Sequence, residues 1–384
     1  MSASADLGGP LPASWRDRFR AWREGLTASP GFRRWAAAFP LTRPLARRRA
    51  RALFDLCAGF IYSQILLACV RLRLFDLLRE GPQPESALAA RMDLPAEGAS
   101  RLLRGAAALE LVALRDDGRW ALGPLGAAMI DNPGIAAMVE HHAMLYADLT
   151  DPVALLRRPR GGNALSGYWA YAGADAPGEL QRDRTSDYTA LMAASQPMVA
   201  EEVIAAYDFR RHRCLLDVGG GSGAFLAAVA AATPDLRLML FDLPAVAQQG
   251  RERFARLRLE ARATAFGGDF AQDPLPSGAD LVSLVRVLHD HDDEVVMGLL
   301  RSVRAALPAG GRLLVAEPMA GTPGAEPAGD AYFGIYLLAM GRGRPRRAEE
   351  LQSMLRAAGF AQSRLLPTRT PLLTRVLVAD VTLP

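Results

Sequence analysis

The 384-residue chain contains no lysine; all 45 of its basic residues are arginine. The arginine count therefore reflects that missing alternative and is not in itself a nucleic-acid signal. Cysteine is nearly as scarce. Cys57, Cys69 and Cys214 stand far apart with no C-x-x-C pair, which excludes a disulfide framework and a cysteine-rich zinc site and fits a reducing cytoplasm. Long apolar runs are missing too. The most apolar window, Ala58 to Val70, is too short and too polar to span a bilayer. The N-terminus has Gly, Pro and many Arg where a secretory signal would have an apolar stretch. With 50% hydrophobic and 22% charged residues, the chain can bury a sizeable core, and its length points to two domains.

The net charge of +4 is unevenly spread. Residues 1–51 carry eleven arginines against Asp6, Asp17 and Glu24, a local +8, which leaves −4 for the rest. In this segment Trp15, Phe19, Trp22 and Leu26 recur at helical spacing among Arg16, Arg18, Arg20 and Arg23, and Phe32, Trp35 and Phe39 follow Pro30. Two readings fit: a basic helix lying on an anionic membrane surface, or a helix packed on a partner subunit or on its own core.

From residue 51 to 208 the pattern is mainly helical. FDLCAGFIYSQILLACVRLRLFDLL is one long periodic segment, and two short helices meet near Leu94-Pro95. ELVALRDDGRWALGP reads as a hairpin with its turn at Asp116-Asp117-Gly118. Helices followed by a small hairpin make a winged-helix-like unit. Its would-be recognition segment, EGASRLLRGAAALELV, has almost nothing to reach base edges. Dimerisation is the better reading, and no nucleic-acid partner is expected. A Gly-rich connector covers residues 157–180, and one more helix leads to Asp208. From 209 to 384 strands and helices alternate: CLLDV, LRLMLFD, ATAFGGD, DLVSLVRVL and RLLVAEP. The last two strands, SRLLPTRT and LLTRVLVADV, are so close in sequence that they can pair only antiparallel. The expected fold is α/β, a mostly parallel Rossmann-like sheet ending in an antiparallel hairpin. We therefore expect three segments: 1–50 as a basic extension, 51–208 as a dimerisation and substrate-lid region, and 209–384 as the catalytic domain.

The turn after the first strand of that sheet reads Asp217-Val-Gly219-Gly-Gly221-Ser-Gly223-Ala224. Glycines there let a ligand approach the backbone closely. Read as G-x-G-x-x-A they would suit a nicotinamide cofactor. Asp217 argues otherwise: a carboxylate would repel a pyrophosphate, but it favours the sulfonium and ammonium of S-adenosylmethionine. Asp242, followed by Leu243, ends the second strand and can take both ribose hydroxyls, with charge-assisted bonds worth about 1.5–3 kcal/mol each. Asp269 can accept from an adenine amino group with Phe270 on the ring face; the same acid could instead cap a turn. After the fourth strand comes Arg286-Val-Leu-His289-Asp290-His291-Asp292-Asp293-Glu294, where α/β sheets present catalytic groups. His289 and His291, two apart, would face away from each other on a helix, and no Cys or third His stands nearby, so no metal is expected. The last three acids suit a helix N-terminus. His289 remains as a general base, its tautomer fixed by a carboxylate, for which Glu317 is well placed.

DVGGGSG, FDLP, GDF, LHDHDD and AEP, in this order, resemble the small-molecule O-methyltransferases best known for methylating plant phenols. The resemblance spans Arg211 to the end and, more loosely, the winged-helix-like region before it. It implies S-adenosylmethionine as methyl donor, a homodimer, His289 as the base and Glu317 as its orienting acid. Asp290 joins them in the matched motif, and Arg286 and Leu243 fall among the donor-binding positions. A second orienting Glu is expected in a later Gly-rich turn; here that turn is Gly341-Arg-Gly-Arg-Pro345-Arg-Arg347, with Pro345 in its place. Longer strings, including EHHAMLYADLTDPVALLRR and GRGRPR, resemble the bacterial O-methyltransferases of acyclic carotenoids of the demethylspheroidene and hydroxyneurosporene type. That branch implies a tertiary C-1 hydroxyl as acceptor, and peripheral contact with the inner or photosynthetic membrane. Phenolic or polyketide O-methylation, and C-methylation of a bacteriochlorophyll precursor, are the alternatives.

Overall fold

The computed structural model describes residues 14–157, 162–168 and 182–382. Most of the Gly-rich connector lies outside them. The chain forms two compact units, residues 1–74 with 82–123, and residues 75–81 with 124–384. In the second unit, helix Arg182–Ala206 packs on the sheet through Val199, Ala200 and Val203.

The first unit opens with helices α1 (Trp15–Ala28), α2 (Pro30–Ala38) and α3 (Arg43–Arg71). Ser14 caps α1 in a capping box with Asp17, and Pro30 begins α2 at the position where its missing N–H costs nothing. Two short helices follow, Glu85–Arg91 and Ala96–Ala108. They lead into a three-stranded sheet of order β1-β3-β2: β1 (Gln83–Pro84), β2 (Val112–Leu114) and β3 (Arg119–Leu122). The hairpin β2–β3 turns where expected, with Gly118 at positive φ; β1, only two residues long, gave no sequence signal. The expectation for α3 needs correction. The helix runs unbroken for 29 residues, and by length and composition it is long and apolar enough to cross a membrane. The window from Ala58 looked short because Asp55 interrupts the apolar sequence without interrupting the helix.

The second unit is built on a seven-stranded sheet of order β6-β5-β4-β7-β8-β10-β9. Its strands are β4 (Cys214–Val218), β5 (Arg237–Asp242), β6 (Ala263–Gly267), β7 (Leu281–Val285), β8 (Arg312–Glu317), β9 (Gln362–Leu366) and β10 (Arg375–Asp380). The first five are parallel, whereas β10 runs antiparallel to both β8 and β9. Helices cover both faces, so the central strands are apolar throughout. Leu216, Val282, Leu284 and Val315 fill one side, and Leu215, Leu281, Leu314 and Val376 the other. The strand order reverses between β4 and β7. A ligand crevice opens at such a switch point, outside the carboxyl ends of the strands. The glycine turn follows β4 and the His289 stretch follows β7, so both border that crevice.

Candidate active site

Two side chains break the apolar rule in the middle of the sheet. Asp217 on β4 and Ser283 on β7 are both buried, and the Ser283 hydroxyl donates to Asp217 Oδ1 at 2.6 Å. Asp217 Oδ2 is buried with no hydrogen-bond partner. Burial, with Asp242 nearby, pushes this carboxyl up to about 7. A buried carboxylate oxygen without a partner, beneath a glycine turn, has the chemistry to accept a cation. The turn has the matching shape. Gly219, Gly221 and Gly223 take φ of 68°, 60° and 75°, and a Cβ on Gly220 would run into Asp217 Oδ2 itself. Around Gly221 a Cβ would meet nothing within 4 Å, so the backbone there is bare. Arg253 secures the turn by donating to the Ser222 carbonyl at 2.8 Å and its hydroxyl at 3.1 Å.

Asp242 ends β5 half-buried. Its Oδ2 accepts from the Gly221 amide and its Oδ1 from the Leu243 amide, each at 2.7 Å. It ties the glycine turn to the head of helix Pro244–Arg256, and burial raises it to about 6. Asp269 accepts from the Ala271 amide at 2.9 Å, the turn geometry weighed as the alternative. The Phe270 ring meets His291 edge-on at 5.2 Å. Arg286, at φ 60°, turns its guanidinium toward helix Arg182–Ala206, donating to Ser195 Oγ and Met192 Sδ at 2.8 Å each. It ties that helix to the end of β7.

His289 sits in a tight turn, Leu288–Asp290, that is wholly buried. Glu317 at the end of β8 organises the turn: its carboxylate accepts from the amides of Val287 at 3.0 Å, Leu288 and His289 at 2.9 Å, and faces His289 Nδ1 at 3.2 Å. On the other side Asp290 Oδ1 lies 3.1 Å from Nε2. Burial alone would lower the imidazole, but the carboxylates of Asp290 and Glu317 outweigh it and hold His289 above the usual histidine value. His291, two residues on and half-buried, falls to about 4, because desolvation and the neighbouring His289 outweigh what Glu317 contributes.

The turn that replaces the expected second Glu works differently. Gly343, at φ 76°, packs so closely that a Cβ would strike the His289 carbonyl. The Arg344 amide donates to that carbonyl at 2.9 Å. Arg346, buried, donates to the carbonyls of Leu288 and His291 at 2.7 Å each and to Asp293. The loop thus pegs the backbone around His289 from below, and Asp290 supplies the second carboxylate on the ring. Asp293 and Glu294 open helix Asp293–Ala306, as their acidity suggested.

Several residues were not singled out from sequence. A π-helix, Pro327–Phe333, brings the edge of Phe333 to the His289 ring at 5.7 Å, with Tyr332 against Phe333 at 5.0 Å. Tyr332 pairs with His142 at 2.8 Å and Tyr336 with His141 at 2.7 Å, from helix Pro133–Asp148. Burial lowers both histidines and lifts Tyr332 to about 12, so this wall beside the base is polar but uncharged. The doublet His141-His142 was the sequence signal that would have found it.

A sheet with this strand order, a bare turn over a buried carboxylate, and a carboxylate-flanked histidine at the switch point define a methyltransferase that draws on S-adenosylmethionine. The O-methyltransferase domain family matches residues 146–361 and its dimerisation domain matches 54–132; the chain belongs to this family and is an S-adenosylmethionine-dependent O-methyltransferase. It is 45% identical over 354 residues to demethylspheroidene O-methyltransferase of Cereibacter sphaeroides, covering 92% of this chain and 93% of that one. The Rhodobacter capsulatus enzyme of the same name is 43% identical, covering 89% and 84%. Human N-acetylserotonin methyltransferase, solved in complex with S-adenosylmethionine, superposes with a TM-score of 0.72 at 25% identity, covering 87% of this chain and 98% of its own.

Proposed function

We propose that the protein methylates the tertiary C-1 hydroxyl of an acyclic carotenoid of the demethylspheroidene or hydroxyneurosporene type, with His289 as general base. The observation that carries the acceptor is the 45% identity over nearly the whole chain to an enzyme of that name. The uncharged aromatic wall of Tyr332, Phe333 and Tyr336 is compatible with a polyene and offers no charge to a phenolate.

The donor supplies an electrophilic methyl on positive sulfur. Asp217 and the bare backbone at Gly219–Gly223 would hold its cationic end, and Asp242 its ribose. Phe333 and Tyr332, beside His289, would position the acceptor for in-line attack on the methyl; orientation of this kind supplies up to roughly 7–11 kcal/mol. As the new O–C bond forms, the S–C bond would break with its electron pair left on sulfur as a neutral thioether, and the hydroxyl proton passes to His289 Nε2, a step worth about 10²–10⁴ in rate. Glu317 keeps the tautomer right by accepting a hydrogen bond from Nδ1–H, and Asp290 stabilises the imidazolium that results. A tertiary alcohol is much less acidic than a phenol, so proton loss runs late, together with methyl transfer. Such an acceptor resides in lipid, which makes the enzyme a cytoplasmic visitor to the inner or photosynthetic membrane.

The test is incubation with radiolabelled donor and detergent-dispersed 1-hydroxy carotenoids beside a panel of phenols. Label is expected in the carotenoid methyl ether; label confined to phenols would overturn the reading. His289→Ala should lower turnover by about 10²–10⁴ while donor affinity stays unchanged. A loss of only a few-fold would remove His289 as the base.

A further inference from the structure

We propose that α1 and α2 form a docking face for an anionic phospholipid bilayer, separate from the surface on which the subunits pair. In α1, Trp15, Phe19, Trp22 and Leu26 follow the spacing i, i+4, i+7, i+11, which places all four on one stripe. Arg16, Arg20 and Arg23 run along one border of that stripe and Arg18 along the other. Asp17 and Glu24 fall on the opposite face. No side chain of α1 is buried; Trp15 is 68%, Phe19 55% and Trp22 61% exposed. Along α2 and its C-cap, Phe32 lies tilted against Trp35 at 5.6 Å and Trp35 stacks on Phe39 at 5.1 Å, and of α2 Ala36 alone is buried. Arg33 and Arg34, both exposed, stand between Phe32 and Trp35 in the chain.

An aromatic stripe flanked by arginines and backed by acids is what a bilayer interface selects. Indole rings settle at the headgroup level, while guanidinium groups on their flanks meet lipid phosphates. A protein partner would not need the basic flanks on both sides. The second copy of this chain has its own place. The dimerisation domain begins at residue 54, after both helices, and exposed Phe54, Leu56, Phe60 and Ile61 on α3 lie within it. The human relative is matched over 98% of its length, yet 87% of this chain finds a counterpart in it.

The experiment is co-sedimentation of the full-length protein with vesicles, without donor or acceptor, so that it succeeds or fails apart from the acceptor reading. Phosphatidylcholine vesicles are compared with vesicles carrying about one-third phosphatidylglycerol. The parent protein should partition onto the anionic vesicles only, release as salt rises, and show blue-shifted tryptophan emission. Trp15→Ser with Trp22→Ser, and separately Arg16→Gln with Arg20→Gln and Arg23→Gln, should each weaken partitioning about tenfold or more. Both should remain dimers by light scattering. Three outcomes overturn the proposal: no sedimentation of the parent, variants that bind as the parent does, or variants that lose the dimer or their helical signal, since that means the stripe packs against protein.

Discussion

His289 is a single imidazole between two carboxylates, and its behaviour follows from that geometry. When Nδ1–H donates to Glu317, a neutral ring presents its Nε2 lone pair to Asp290 Oδ1 at 3.1 Å, an arrangement that favours protonation. The folded value therefore exceeds the usual one of about 6.5. The base must be neutral to act, so activity should rise with pH through a limb lying above that value. The sign for stability is opposite: the stabilisation from the imidazolium is complete below the unfolded value and fades as pH climbs through the folded one. Asp290→Asn removes one anion and should move the rising limb of the kcat/KM profile to lower pH, measured against the parent. An unmoved limb would mean that another group is titrating. Asp217 gives a second case. Its folded value of about 7 lies above that of an unfolded aspartate, so the unliganded protein should lose stability as pH rises toward 7. Asp217→Asn should raise the melting temperature of the unliganded protein at pH 8 yet weaken donor binding about 10–100-fold by calorimetry. Tighter donor binding would show that this carboxylate does not face the cation.

At the scale of elements, the site depends on one loop that holds no reacting group. Residues 341–347 lack the acid expected at Pro345, and the loop is instead a peg. Arg346 satisfies two backbone carbonyls of the His289 turn and pairs with Asp293 at the head of the next helix. Arg346→Met leaves those carbonyls unpaired in a buried place, at a cost of about 2–4 kcal/mol. Chemical denaturation should show that loss, and kcat should fall more than donor affinity because the His289 turn is what loosens. Unchanged stability would mean that water replaces the guanidinium. The sequence made Asp292, Asp293 and Glu294 legible as a helix start, because acids at a helix N-terminus are a local effect. It did not reveal Arg346 as buried, since a lone arginine in a basic loop ordinarily faces water.

At the scale of the whole molecule, pairing of two chains should rest on α3. Leu56 is 82% and Phe60 63% exposed in the single chain, inside the dimerisation domain. Leu56→Glu with Phe60→Glu should halve the mass seen by light scattering and leave vesicle binding by α1 in place; a persisting dimer would move the interface elsewhere. The sequence by itself determined the succession of strands along the chain, the glycine turn, the antiparallel close of the sheet, the winged-helix-like hairpin and the histidine that follows β7. Each of these is written in spacing along the chain, in periods of two or 3.6 and in the residues that only a tight turn accepts. Only the tertiary structure decided which carboxylate meets which ring nitrogen, that Arg286 turns to a neighbouring helix, and that Tyr332 and Phe333 stand beside the base. Those partners lie far apart in sequence, 190 residues in the case of His142 and Tyr332, and no local pattern encodes a contact made by two remote elements packing against each other.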